Sequence, residues 1–254
     1  RKRIKRLLSG IILYADRKNP VMVRYRILAA NIKYVNVDTQ IKSLLVTSAA
    51  PMEGKTSTAT NLAISMAQTG SKVLLMDTDL RRPRIHRIFQ QDRSPGLAEL
   101  LTDENNSIEE LHQQGNPIPY EPFIRPTSID NLYLFPCGAH VSTPEGLLSS
   151  EKMKQLIKSL SEQYDIIIFD SPPLVSSADA MILATEVDAT LMVVRSGTTK
   201  RQIALQGKEL LDNVDAQVIG AVLNNIDYSK QYGSYYYYYY YYRSYYYSSE
   251  EDES

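Results

Sequence analysis

The chain has 254 residues, 43% of them hydrophobic, with 28 Lys/Arg against 29 Asp/Glu; this is enough to bury one sizeable core and suggests one domain with appendages. A single cysteine, Cys137, excludes an internal disulfide framework and suits a reducing compartment, and His86, His112 and His140 lack zinc-ligand spacing. The net charge of −1 conceals an asymmetry, because residues 1–42 hold 11 Lys/Arg against 2 acids and leave 17 against 27 for the rest.

Arg1, Lys2, Arg3, Lys5 and Arg6 place five cations in the first six residues, a charge run that suits a juxtamembrane segment drawn to anionic lipid headgroups on the cytoplasmic side. The apolar stretch 7–15 is interrupted by Ser9 and Gly10 and is too short to span a bilayer. With no initiator Met, the chain is expected to be a piece of a longer product, with a membrane-spanning part upstream.

From residue 43 the sequence alternates short apolar runs with amphipathic stretches, the pattern of a parallel α/β sheet. Strands are expected at Ser43–Ser48, 72–77, 132–136, 165–170, Ala189–Arg195 and 217–224. Helices are expected over 55–69, with Ala59, Leu62, Ala63 and Met66 inward and Gly70 as its stop; over 151–162, through Met153, Leu156, Ile157 and Leu160; and over 200–211, through Ile203, Ala204 and Leu210. Pro117, Pro119, Pro122 and Pro126 argue for an extended loop within the less regular stretch 91–131. Cys137 reads as a small buried residue at a strand end.

The first strand runs into Ala49-Ala50-Pro51-Met52-Glu53-Gly54-Lys55-Thr56-Ser57, which opens a helix. A loop of backbone N–H groups at a helix N-terminus is what a nucleotide phosphate needs; Lys55 is placed to reach the terminal phosphates and Thr56 to ligate Mg²⁺, with Gly54 permitting close approach. Pro51, Met52, Glu53, Gly54, Lys55, Thr56 and Ser57 are therefore the expected ATP-binding residues, with the charge of Lys55 serving the phosphates rather than the core. The next strand ends in Asp77-Thr78-Asp79, and 166–169 deliver Asp170; parallel strands bring such C-terminal carboxylates to one crevice. Any one Asp closing a strand is usually a turn-former, but three beside Lys55-Thr56 suggest Mg²⁺ and phosphate chemistry. Asn224 and Asn225 close the last strand, where related nucleotide-binding folds often place an Asn near the base.

The C-terminus carries Tyr235, Tyr236, Tyr237, Tyr238, Tyr239, Tyr240, Tyr241 and Tyr242 in one run, then Tyr245, Tyr246 and Tyr247, and ends in Glu250-Glu251-Asp252-Glu253. Buried phenols need hydrogen-bond partners, so such a run cannot all face an interior and is expected to be a disordered tail. Its chemical asset is a dense set of phenolic nucleophiles. Kinase and substrate can share one chain.

Met76-Asp77-Thr78-Asp79-Leu80-Arg81-Arg82-Pro83 and Asp170-Ser171-Pro172-Pro173 resemble the Walker A′ and Walker B motifs of bacterial tyrosine kinases, the P-loop kinases of polysaccharide co-polymerase systems. The resemblance covers roughly residues 20–250. It implies ATP- and Mg²⁺-dependent phosphorylation of the tyrosine cluster between neighbouring subunits, controlling capsular or exopolysaccharide polymerisation and export, with a membrane-spanning activator upstream or in a separate chain and a tyrosine phosphatase to reset the tail. By the same resemblance Asp77 helps deprotonate the incoming tyrosine, while Thr56, Asp79 and Asp170 organise the metal. No nucleic-acid partner is expected, and the implied location is the cytoplasmic face of the bacterial plasma membrane. The fold expected is a doubly wound, mostly parallel α/β sheet of P-loop NTPase type: 1–42 a basic juxtamembrane and oligomerisation segment, 43–227 the kinase domain, 228–254 the tail. One departure stands out, since the family's Glu-x-x-Arg-x-x-Arg helix falls on Val23, Arg26 and Ala29, two of its three charges lost.

Two other readings compete. A partitioning-type P-loop ATPase would use water as acceptor, but it typically carries a signature Lys where this chain has Ala50. A non-catalytic ATP-sensing module would not need the full Lys-Thr-Asp-Asp-Asp set.

Overall fold

The computed structural model describes residues 20–35, 40–103 and 123–226; the basic segment 1–19, the prolines Pro117, Pro119 and Pro122, and the tyrosine tail lie outside the described residues. In chain order the elements are α1 (Pro20–Tyr34), β1 (Ser43–Ser48), α2 (Lys55–Gln68), β2 (Val73–Asp77), α3 (Ile85–Ile88), α4 (Leu97–Thr102), β3 (Arg125–Pro126), β4 (Leu132–Phe135), α5 (Pro144–Leu148), α6 (Glu151–Gln163), β5 (Ile166–Asp170), α7 (Asp179–Glu186), β6 (Ala189–Arg195), α8 (Arg201–Asp212) and β7 (Val218–Asn224).

The strands form one sheet in the order β3-β4-β2-β5-β1-β6-β7. Every pairing is parallel except β3 with β4, where Pro126, read from the sequence as part of an extended loop, sits opposite Tyr133 on the edge. An edge strand tolerates a proline because no ladder donor is needed there. The chain leaves β1 for β2 and returns to β5 between them, so the ends of β2, β5 and β1 lie side by side.

The apolar strands split by alternation into two cores, as side chains of period 2 must. Leu44, Val46, Leu75, Ile168, Leu191 and Val193 face one layer with Leu62, Ala63 and Met66 of α2. Leu45, Leu74, Met76, Ile167 and Phe169 face the other with Met153, Leu156, Ile157 and Leu160 of α6. Helix α6 begins with Ser150 Oγ accepting from Met153 N at 3.2 Å, a side-chain cap that fixes its start. Helix α8 is buried through Gly207 and Leu211, with Ile203, Ala204 and Leu210 half-buried beside them. Cys137 is fully buried just after β4, where burial pushes its thiol up to about 12.

Helix α1 extends the first layer across the charge boundary read at residue 42. Met22, Ala29 and Ile32 are buried against the α2 side of the sheet, so Ala29 stands where a charged side chain would have to enter a core. Val23 is half-buried and Arg26 exposed. No helix among the described residues is long and apolar enough to cross a membrane.

Candidate active site

The site forms where β1 hands over to α2. Gly54 adopts φ +97°, and a Cβ there would lie 2.0 Å from Asn224 Nδ2, so both conformation and space demand glycine. Lys55 begins α2, whose first N–H groups have no carbonyl partner within the helix, and Gly54 at its N-cap offers no side-chain cap.

Two carboxylates receive Lys55: its Nζ lies 2.9 Å from Asp79 Oδ2 and 3.3 Å from Asp170 Oδ1. Burial opposes the charge on Lys55, but Asp170 and Asp79 outweigh it and hold the ammonium above its usual range. The sequence assigned that charge to phosphates alone. In the structure it already neutralises the carboxylate pair, and Thr56 Oγ1 lies 3.4 Å from the same Nζ.

Asp77 and Asp170 sit directly opposite each other on β2 and β5. Asp77 is fully buried and is not among the residues lining the cleft described below. Its Oδ2 accepts from the backbone N–H of Arg84 and of Ile85, both at 3.1 Å, while Oδ1 is buried without a hydrogen-bond partner. Burial first, then Asp170, pushes its pKa up to about 8 against the opposing pull of Ile85 N–H and Lys55. Burial also raises Asp170 despite Lys55. Asp170 Oδ2 is a second buried oxygen with no partner.

Asp79 Oδ1 accepts from Arg82 N at 2.9 Å. Together Asp77 and Asp79 therefore pin the loop between β2 and α3, a role that sequence reading missed because nothing in residue type or spacing announces a backbone acceptor.

A cleft of about 830 Å³ opens over these groups, lined by Pro51, Met52, Gly54, Lys55, Thr56 and Ser57 of the loop, by Asp79 and by Asn224. Glu53 departs from the expected set, since its side chain is buried (3% exposed) and turned away from the cleft. Its Oε2 accepts from Ala50 N at 2.8 Å and its Oε1 from the Thr199 hydroxyl, so the carboxylate shapes the loop and only its backbone remains for phosphate. Asn224 lines the cleft as expected, but its Nδ2 donates to Glu53 O at 2.9 Å and its Oδ1 accepts from Asn225 N at 2.8 Å. Arg195, also missed, lines the cleft and donates to Met52 O at 3.1 Å.

The donor set suits Mg²⁺: hard oxygens of Thr56, Asp79 and Asp170 lie about one cation, and the orphaned Asp170 Oδ2 lacks the partner that a buried carboxylate oxygen requires.

Comparison with known proteins fits this geometry. Residues 53–226 match the family model described as an AAA domain. The tyrosine-protein kinase YwqD of Bacillus subtilis (strain 168) is 36% identical over 237 residues, covering 92% of this chain and 94% of its own. Among solved structures, the chimerical protein CapA2B2 is similar with a TM-score of 0.76 at 28% identity, covering 89% of this chain and 98% of that one. The kinase domain of the Escherichia coli tyrosine kinase Etk gives a TM-score of 0.72 at 26% identity, covering 81% and 76%.

Proposed function

The chain belongs to the bacterial tyrosine-protein kinases, and from that premise we propose that it transfers the γ-phosphoryl group of ATP to tyrosines of its own C-terminal cluster, residues 235–247, as offered by a neighbouring copy. The observation that carries the proposal is the placement of Lys55 between Asp79 and Asp170 at the mouth of the loop, with Asp77 directly behind.

In this reading the α2 N-terminus and the loop N–H groups hold the phosphates, and Lys55 moves from its carboxylates to the terminal phosphate oxygens. Thr56, Asp79 and Asp170 would hold Mg²⁺, which when bound would neutralise charge on the phosphates. The tyrosine oxygen forms a bond to the γ-phosphorus as the bond from that phosphorus to the bridging oxygen breaks, and ADP leaves. The phenolic proton is assigned to Asp77, whose Oδ2 is committed to the loop. Its Oδ1 has no hydrogen-bond partner but lies buried behind the cleft, so it acts as base only in its ionised form and once bound nucleotide and acceptor open a path to it. The partners that suit this cycle are further copies of the chain, a membrane-spanning activator, fused upstream or separate, that brings the kinase to the cytoplasmic membrane face, and a tyrosine phosphatase. The process it would control is capsular or exopolysaccharide polymerisation and export.

Incubation of the chain with ATP and Mg²⁺, with phosphate located by mass spectrometry, tests this. Phosphate is expected on residues 235–247. Release of inorganic phosphate with no labelled protein would instead make water the acceptor.

A further inference from the structure

The cleft is lined by five cationic side chains: Lys55, Arg81, Arg82, Arg84 and Arg195. Three are engaged. Lys55 is held by Asp79 and Asp170; Arg81 pairs with Glu145 and, through Nε at 2.9 Å and Nη2 at 3.2 Å, with the buried Asp179; Arg195 donates to the loop carbonyl of Met52. Among the described residues, the exposed guanidiniums of Arg82 and Arg84 have no partner.

Their backbones, in contrast, are fixed, because Arg82 N donates to Asp79 and Arg84 N to Asp77. Two of the three carboxylates of the crevice thus fix the backbone from which two unpaired cations project on its rim. The sheet order says which rim this is. Arg82 and Arg84 follow β2, two strands from the phosphate loop of β1 on one side, whereas Asn224 and Asn225 follow β7, two strands away on the other. At about 5 Å per strand the ends of β2 and β7 are roughly 20 Å apart, and the Asn224 side chain reaches back from the β7 end to the loop at Glu53 O. A nucleotide whose phosphates lie on the β1 loop and whose base extends toward Asn224 leaves the β2 rim to the second substrate.

We propose that Arg82 and Arg84 form an acceptor subsite that recognises acidic residues flanking the target tyrosine. Glu250-Glu251-Asp252-Glu253, just beyond the tyrosine cluster, supply that chemistry. This inference rests on the kinase reading above. Paired at an exposed rim, each contact is weak, so the subsite selects the acceptor and adds little to the chemistry.

The test uses the 254-residue chain as enzyme, its eleven tail tyrosines changed to Phe, a Lys55→Met chain as unphosphorylated acceptor, and initial rates. Changing Arg82 and Arg84 together to Gln is expected to raise KM for the acceptor by about three- to tenfold, in keeping with two exposed ion pairs. KM for ATP should stay unchanged, and Arg82→Lys with Arg84→Lys should restore most of the loss. An acceptor with residues 250–253 neutralised to Gln and Asn should show the same raised KM with unaltered rim arginines, and no further rise with the Gln variant. An unchanged acceptor KM, a rise in KM for ATP instead, or fully additive losses would overturn the subsite. No transfer to the acceptor tail by the enzyme with intact arginines would overturn the kinase reading itself, a result distinct from the other three.

Discussion

The two ends of the sheet use the same residue for opposite purposes. At the N-terminal end, Asp165 and Asp188 are exposed and satisfied: Asp165 Oδ2 accepts from Lys72 N at 2.7 Å, and Asp188 Oδ2 from Lys42 N and Ser43 N, both at 2.8 Å. At the C-terminal end, Asp77 and Asp170 are buried with an oxygen each left unpartnered, beside a lysine that must neutralise two carboxylates. An aspartate at a strand end is a turn-former when water and backbone N–H groups satisfy it. It becomes a site when burial leaves it short of partners, because the missing partner is then a proton, a metal or a substrate.

The largest break in that contrast is at Lys55. Lys55→Met should reduce tyrosine phosphorylation by roughly three orders of magnitude, since an electrostatic contact to transferring phosphate is lost. The variant also leaves Asp79 and Asp170 without their cation, so its melting temperature should fall at neutral pH and recover on acidification, when the carboxylates can be protonated. Phosphate incorporation and thermal unfolding at two pH values measure both. A variant that transfers phosphate normally would remove Lys55 from the site.

Next in size is the division between Asp77 and Asp170. Asp77→Asn keeps an acceptor for Arg84 N and Ile85 N but cannot take a proton, so transfer should fall by about 10²–10⁴-fold with nucleotide affinity little altered. Asp170→Asn should weaken Mg²⁺-dependent nucleotide binding as well. Equal binding losses in the two variants, read by titration with a fluorescent nucleotide, would dissolve the distinction.

The pH dependence is smaller and has a definite sign. The folded-state pKa of Asp77 is raised to about 8, so the nucleotide-free protein holds that proton more tightly than the unfolded chain does. Stability from this group is therefore fully present below the ordinary carboxylate range and is lost as pH rises through about 8; the raised Asp170 acts in the same direction. Urea unfolding from pH 5 to 9 should show the native chain losing stability relative to Asp77→Asn. Parallel curves would contradict the burial account. Ionised Asp77 is also the form that accepts a proton, so stability and base competence should move oppositely with pH.

Much of this was legible in the sequence. The Gly54-Lys55-Thr56 turn between an apolar run and a helix, and carboxylates closing 73–77 and 166–170, placed the loop and the crevice, and the predicted strands agree with those observed to within a residue. What could not be read depends on contacts across the fold. Glu53 turns inward only because Thr199 and Ala50 N wait there. The packing of α1 is hidden because buried Met22, Ala29 and Ile32 are interleaved with exposed Val21, Ile27 and Tyr34, leaving no single apolar stripe. The two-residue β3 has too few residues to show a period, and its proline argued for a loop.

The smallest effect belongs to the opposite edge, and it sharpens the comparison most. Asp188 ties the start of β1 to the start of β6 by accepting two N–H groups, while its own N–H donates to Ser43 Oγ at 2.8 Å. Asp165 and Lys72 exchange bonds in the same way ahead of β5 and β2, with Asp165 N donating to Lys72 O at 2.9 Å. These are hydrogen bonds at an exposed surface, so Asp188→Ala and Asp165→Ala should each cost about 1–2 kcal/mol of stability. Asn, which keeps the acceptor oxygen, should cost about 0.5 kcal/mol or less. Neither should change the rate of tyrosine phosphorylation, since both lie a full strand length from the crevice. The Asn variants isolate charge from hydrogen bonding: at this edge only the acceptor matters, whereas at Asp77 and Asp170 the ionised form itself is required. A loss of transfer in Asp188→Asn at unchanged melting temperature would mean that charge at the far end of the sheet reaches the site, and the two edges would no longer be independent.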